Sequence, residues 1–184
     1  IEHYMDDFDK EKTKQFAAVT FKLPNGVNYI SFRGTDSTIT GWKESLLMSC
    51  TSDIEGAKEA VDYLNKVAKL LKGDLIIGGH SKGGNFAMYA SAFCDDSIKK
   101  RIIKIYNNDG PGFRDEIIES QEYKQIEPKI LSILPQTSII GQLLSNRAEE
   151  KIIKSDAKGI FQHDPMTWEV TKNKFVAEEL DDFS

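Results

Sequence analysis

The sequence predicts an α/β fold: a mostly parallel central sheet with helices on both faces and an antiparallel edge hairpin. Two observations carry this expectation. Short apolar runs of strand length, at 75–77, 102–106 and 129–134, alternate with segments of helical periodicity. Such alternation is satisfied by right-handed crossovers between parallel neighbours. Ahead of them, two alternating β-rich stretches, 16–23 and 27–33, flank Pro24-Asn25-Gly26. Asn-Gly between such stretches is the strongest short hairpin signal.

Each later element follows from its spacing. Ile54, Ala57, Val61, Leu64, Ala68 and Leu71 recur every three or four residues, which predicts an amphipathic helix over 54–72 closed by Gly73. A second helix is expected over 84–94, with Phe86, Ala87, Ala90 and Phe93 inward. Residues 139–145 read as helical, 151–154 and 159–161 as short strands, and 172–181 as a final helix. No repeat, low-complexity tract or linker interrupts the 184 residues, so one domain over 1–184 is expected. The chain opens at Ile1 rather than Met, which leaves room for a preceding segment and for any export signal in it.

Composition narrows the partners. With 24 basic and 29 acidic residues the formal charge is −5, so no nucleic-acid footprint is expected. No window approaches the roughly 18 consecutive apolar residues of a membrane helix, and no signal-peptide pattern is present. Cys50 and Cys94 lack metal-ligand or CxxC spacing and read as free buried thiols of a cytoplasmic protein. No metal or organic cofactor is implied, and the oligomeric state is left open.

The chemistry is concentrated at Gly79-His80-Ser81-Lys82-Gly83, set between the apolar run 75–77 and the helix at 84–94. This is G-x-S-x-G in the context of a nucleophile elbow, the strand-to-helix turn of the α/β-hydrolase fold. The glycines let strand and helix approach closely, so that a strained turn lifts the Ser81 hydroxyl, exposed, above the sheet edge. The helix start directs backbone N–H groups at a developing oxyanion. The bland alternative is a glycine-rich turn holding a phosphate at a helix N-terminus; neither a Walker loop nor G-x-G-x-x-G is matched.

Only three histidines could activate Ser81. His80 is its chain neighbour and points to the opposite face, so it reads as packing beneath the elbow. His3 precedes every other element. His163, in a late loop, is the expected general base, since hydrolases of this fold run Ser, acid, His along the chain. The acid is less determined. The loop after 129–134, where it is normally found, reads Pro135-Gln136-Thr137-Ser138 and has no carboxylate. Asp109, after the preceding strand, is the first candidate. Ser138 as a polar orienter, Asp156 and Asp164 stay open, and Asp109 also suits a plain tight turn.

Phe32-Arg33-Gly34-Thr35, then Trp42, then Gly79-His80-Ser81-Lys82-Gly83-Gly84, resemble the class 3 lipase branch of the α/β-hydrolases. More closely, the chain is similar to a bacterial lipase-like family of uncharacterised function. Phe32 to Asp36, Gly41 to Glu44, Gly79 to Asn85, Asn108 to Phe113 and Gln162 to Asp164 carry that likeness. The resemblance implies an oxyanion hole from the backbone N–H groups of Thr35 and Lys82. It also marks a departure, because lipases of that branch carry Asp about where Ser138 stands, and no long apolar lid is present. The expected activity is hydrolysis of a small-molecule or lipid-like acyl ester through an acyl-enzyme on Ser81. The rivals are an idle hydrolase-fold binding module and a thioesterase or amidase using the same Ser-His pair. Trp42 and Trp168 read as packing, and Lys82 as a surface residue.

Overall fold

The computed structural model describes residues 3–9, 14–34 and 54–178. Seven strands form one sheet whose order follows the chain: β1 (His3–Asp9), β2 (Lys14–Lys22), β3 (Asn28–Phe32), β4 (Leu75–His80), β5 (Ile102–Asn108), β6 (Ile130–Pro135) and β7 (Glu149–Ile153). The first three are antiparallel, and β3 to β7 are parallel. The Asn25-Gly26 hairpin lies where the sequence puts it, with Gly26 at φ 83. β1 is an addition, and its alternation is obscured by three aspartates, a usual guard on an edge strand.

Between the parallel strands run α1 (Ile54–Leu70), α2 (Lys82–Phe93), the one-turn α3 (Asp96–Lys99), and the pair α4 (Asp115–Ile118) and α5 (Gln121–Ile126). Arg101 closes the end of α1, its guanidinium donating to the carbonyls of Ala68, Leu71 and Gly73 at 2.7–2.9 Å. That matches the carbonyl-rich, negative end of a helix with a cation.

Among the described residues, the expectation of helices on both faces is corrected. All five described helices join a single apolar cluster with one face of the sheet, around Phe16, Phe32, Leu64, Phe86 and Tyr123. The cause is the strand order. Same-handed crossovers between strands that never reverse direction across the sheet keep their helices on one side. The other face carries a smaller cluster of Ile133, Ile153 and Trp168 with Tyr106, Leu131 and Phe175. It is covered by the C-terminal segment, including the hairpin β8 (Val170–Thr171) and β9 (Lys174–Phe175).

Three local expectations also change. Residues 139–145 are not a helix: Leu144 takes φ 64, and the segment folds against the turn after β5 through Gly112 N–H to Leu143 O and the Phe113–Ser145 bridge. Gly159–His163 is a 3-10 turn rather than a strand, entered at Gly159 with φ 54. The described part of 172–181 is a hairpin, because Lys172 turns at φ 58 and Phe175 packs on Trp168.

Candidate active site

β4 ends at His80 and α2 begins at Lys82, which leaves Ser81 alone in the turn at φ 57, ψ −130. A non-glycine residue there is strained and must be held by its surroundings. The Ser81 N–H donates to Asn108 O at 2.9 Å, and its carbonyl accepts from Gly84 N–H at 2.9 Å. A Cβ on Gly79 would overlap the Gly83 carbonyl, and one on Gly83 would overlap the Phe32 carbonyl. Strand, helix and the end of β3 therefore meet backbone to backbone, the physical content of G-x-S-x-G. Ser81 is only 6% exposed, more enclosed than the sequence suggests.

Asp109 begins the turn after β5 at φ 50, fully enclosed, with its N–H donating to Ile133 O at 2.9 Å. Its Oδ2 lies 2.6 Å from His163 Nδ1. A carboxylate can only accept, so the proton of this bond sits on Nδ1. Asp109 Oδ1 accepts from the Ser138 hydroxyl and from Gly141 N–H, the latter at 3.1 Å. Both oxygens thus have hydrogen-bond partners, as a buried carboxyl group requires.

His163 ends the 3-10 turn Gly159–His163 and is fixed from several sides. His80 Nε2–H donates to its carbonyl at 2.7 Å, with the two rings 4.4 Å apart between centroids. Trp168 Nε1–H donates to Gln162 O at 2.7 Å, and Gln162 Oε1 accepts from Thr137 N–H at 2.9 Å. Burial, with His163 as neighbour, pushes His80 down to about 4. His80 is therefore neutral at ordinary pH and brings no positive charge beside His163.

Asp109, Ser138 and His163 join at the carboxyl ends of β5 and β6, and Ser81, after the end of β4, is tied to the strand that precedes Asp109 through Asn108 O. Asp156 and Asp164 do not join them. Asp156 is exposed, and Asp164 caps the next turn by accepting from Met166 N–H at 2.9 Å. His3 lies in edge strand β1. Lys82 is buried rather than on the surface, its ammonium 5.3 Å from the Phe86 ring centroid. As the first residue of α2, its N–H points out of the helix start. Thr35, Asp36, Trp42 and Cys50 lie outside the described residues. Cys94 is a free buried thiol pushed up to about 11 by burial. Among the described residues no cluster of three or more His, Cys, Asp or Glu is set to hold a metal, and no helix is long and apolar enough to cross a membrane.

Sequence reasoning treated Ser138 as a rival to Asp109, whereas the structure makes it a donor to Asp109. Gly141 and the His80–His163 carbonyl bond carried no sequence signal. Each joins residues that only the tertiary fold brings near.

The fold has counterparts among solved structures. A Rhizomucor miehei lipase propeptide complex, in a deletion mutant, superposes with TM-score 0.52 at 16% identity, over 77% of this chain and 52% of that one. The native Rhizomucor miehei lipase propeptide complex gives 0.48 at 16% identity over 77% and 53%. The M37 lipase gives 0.48 at 17% identity over 69% and 50%. The chain thus spans about half the length of these lipases. At such identity the likeness bears on fold alone, an α/β-hydrolase-like one. No curated protein matches the sequence. The profile of the Mbeg1-like family matches residues 1–183, and the chain belongs to that family.

Proposed function

We propose that the chain is a serine hydrolase that cleaves carboxylic esters through an acyl-enzyme on Ser81. The observation that carries this reading is the 2.6 Å pairing of His163 Nδ1 with Asp109 Oδ2, beside a serine held at φ 57. His163 Nε2 takes the Ser81 proton as Oγ attacks the acyl carbon, and Asp109 stabilises the resulting imidazolium. The proton then passes to the leaving alcohol. A water activated in the same way releases the acid. Lys82 N–H, at a helix start, and Thr35 N–H are the proposed oxyanion donors.

The lipase neighbour makes lipid-like or small acyl esters the substrates to test first, with residues 1–184 acting as one domain. The rival, an idle binding scaffold, is motivated by the missing carboxylate at Ser138; the pairing of Asp109 Oδ2 with His163 Nδ1 favours the hydrolase reading over it.

A fluorophosphonate probe tests the reading. It is expected to label the wild type and to leave Ser81→Ala and His163→Ala unlabelled, each checked for folding by circular dichroism. An unlabelled wild type, or equal labelling of Ser81→Ala, overturns it.

A further inference from the structure

On the sheet face away from the helices lies a cavity of about 550 Å3, within the range of small-molecule sites. Its floor is formed by Tyr29 and Tyr106, which lie across β4 because residue 78 is glycine. A Cβ there would stand 2.5 Å from the Tyr29 hydroxyl oxygen and 3.2 Å from Tyr106 Cβ. The elbow does not need this glycine, since Gly79 and Gly83 provide its close contacts. Gly78 serves the floor of the cavity instead.

The walls are apolar, built by Leu131, Ile133, Trp168 and Phe175. Lys151, Lys174, Asn108, Asn173 and Pro165 also line it, and no Asp or Glu is among the described residues that form it. This is notable in a chain of net charge −5. Other lysines of this region are matched: Lys104 pairs with Glu149 and Lys154 with Glu169. Lys151 and Lys174 have no such acidic partner among the described residues. Burial and the nearby Tyr106 push Tyr29 above its ordinary value, so its hydroxyl stays a donor. Two cations and two phenolic donors over apolar walls suit a ligand with an anionic head and an apolar body.

We infer that this cavity is a binding site for an amphiphilic carboxylate of fatty-acid type, distinct from the Ser81 site and independent of the hydrolase reading. His80 and Trp168 line its upper end, and both hold the segment that carries His163.

Calorimetric titration with octanoate tests this. Saturable one-to-one binding is expected in the wild type and unchanged in Ser81→Ala, so that failure of the esterase reading does not affect the result. The Lys151→Ala/Lys174→Ala pair, both outside the core, is expected to bind at least about tenfold more weakly with its melting temperature preserved. Gly78→Ala is expected to lose binding as the Tyr29 hydroxyl is displaced. Octanol bound as tightly as octanoate, inorganic phosphate bound as tightly, a lysine variant that binds like wild type, or no saturation at all would each overturn the site.

Discussion

The turns after β5 and β6 sit side by side and meet at Asp109, which pairs with His163, yet they differ in kind. After β5 the chain places a carboxylate, Asp109, in a left-handed turn with its N–H bound to the neighbouring strand. After β6 it places a hydroxyl, Ser138, in a segment that folds back on the first turn. One turn supplies the charge and the other supplies donors that hold the charge in place. On the proposed reading, the acid of this site lies one strand earlier than the position after β6. Adjacent parallel strands finish at one edge, so a carboxylate can move by one strand and still face the same imidazole.

This division is open to attack, with the largest effect at the charged turn. Asp109→Asn is expected to lower turnover of a p-nitrophenyl ester about 10⁴-fold, because the histidine loses its tautomer and its counter-ion. A variant within tenfold of wild type would break the assignment. Transposing the two residues is the next test. Asp109→Ser alone should be nearly inactive, and adding Ser138→Asp should recover about a hundredfold if either strand end can present the acid. Ser138→Asp alone puts two carboxylates together, so the acidic limb of its pH–rate profile should move upward.

The end of β4 sharpens the contrast, because His80 supports the same histidine without charge. Its pKa is lowered to about 4 in the folded chain, so the unfolded chain binds the extra proton between about pH 6.5 and 4. Stability from this residue is present above that window and lost as pH falls through it, by roughly 2 kcal/mol after allowing for solvent screening. Urea unfolding at pH 7 and pH 4.5 should show a smaller loss in His80→Asn than in wild type. Equal losses would remove His80 from the account. The smallest effect belongs to the donor turn. Ser138→Ala takes one hydrogen bond from a carboxylate that keeps Gly141 N–H, and about a tenfold fall in turnover is expected. A fall as deep as that of Asp109→Asn would erase the distinction between the turns.

Much of this site was legible in the sequence for a local reason. The elbow is a five-residue device whose glycines answer contacts within one strand–turn–helix unit, so Gly79, Ser81 and Gly83 announce themselves. Elimination among three histidines pointed to His163 for a similar reason, since His80 could not turn back on its neighbour. The acid stayed open because its partners are 54 and 29 residues away, and no local pattern encodes such a meeting. Residues 139–145 and the described part of 172–181 misled because their apolar spacing suits a helix. The conformations of these described residues follow contacts with Phe113 and Trp168. The confinement of the described helices to one face follows from strand order, which alternation of elements does not specify. The expectation about Thr35 falls outside the described residues.

The strand order also bears on the timing of assembly. Each strand of the sheet joins the one made just before it, so the sheet can extend from its hairpin as the chain emerges, without waiting for distant segments. The chemical group is completed on a different schedule. A nascent chain that has passed β6 already holds the Ser81 turn and Asp109, but His163 arrives only after β7 has been added. Extension of the sheet and completion of the proposed site are thus separated along the chain, since His163 follows the last strand of that sheet.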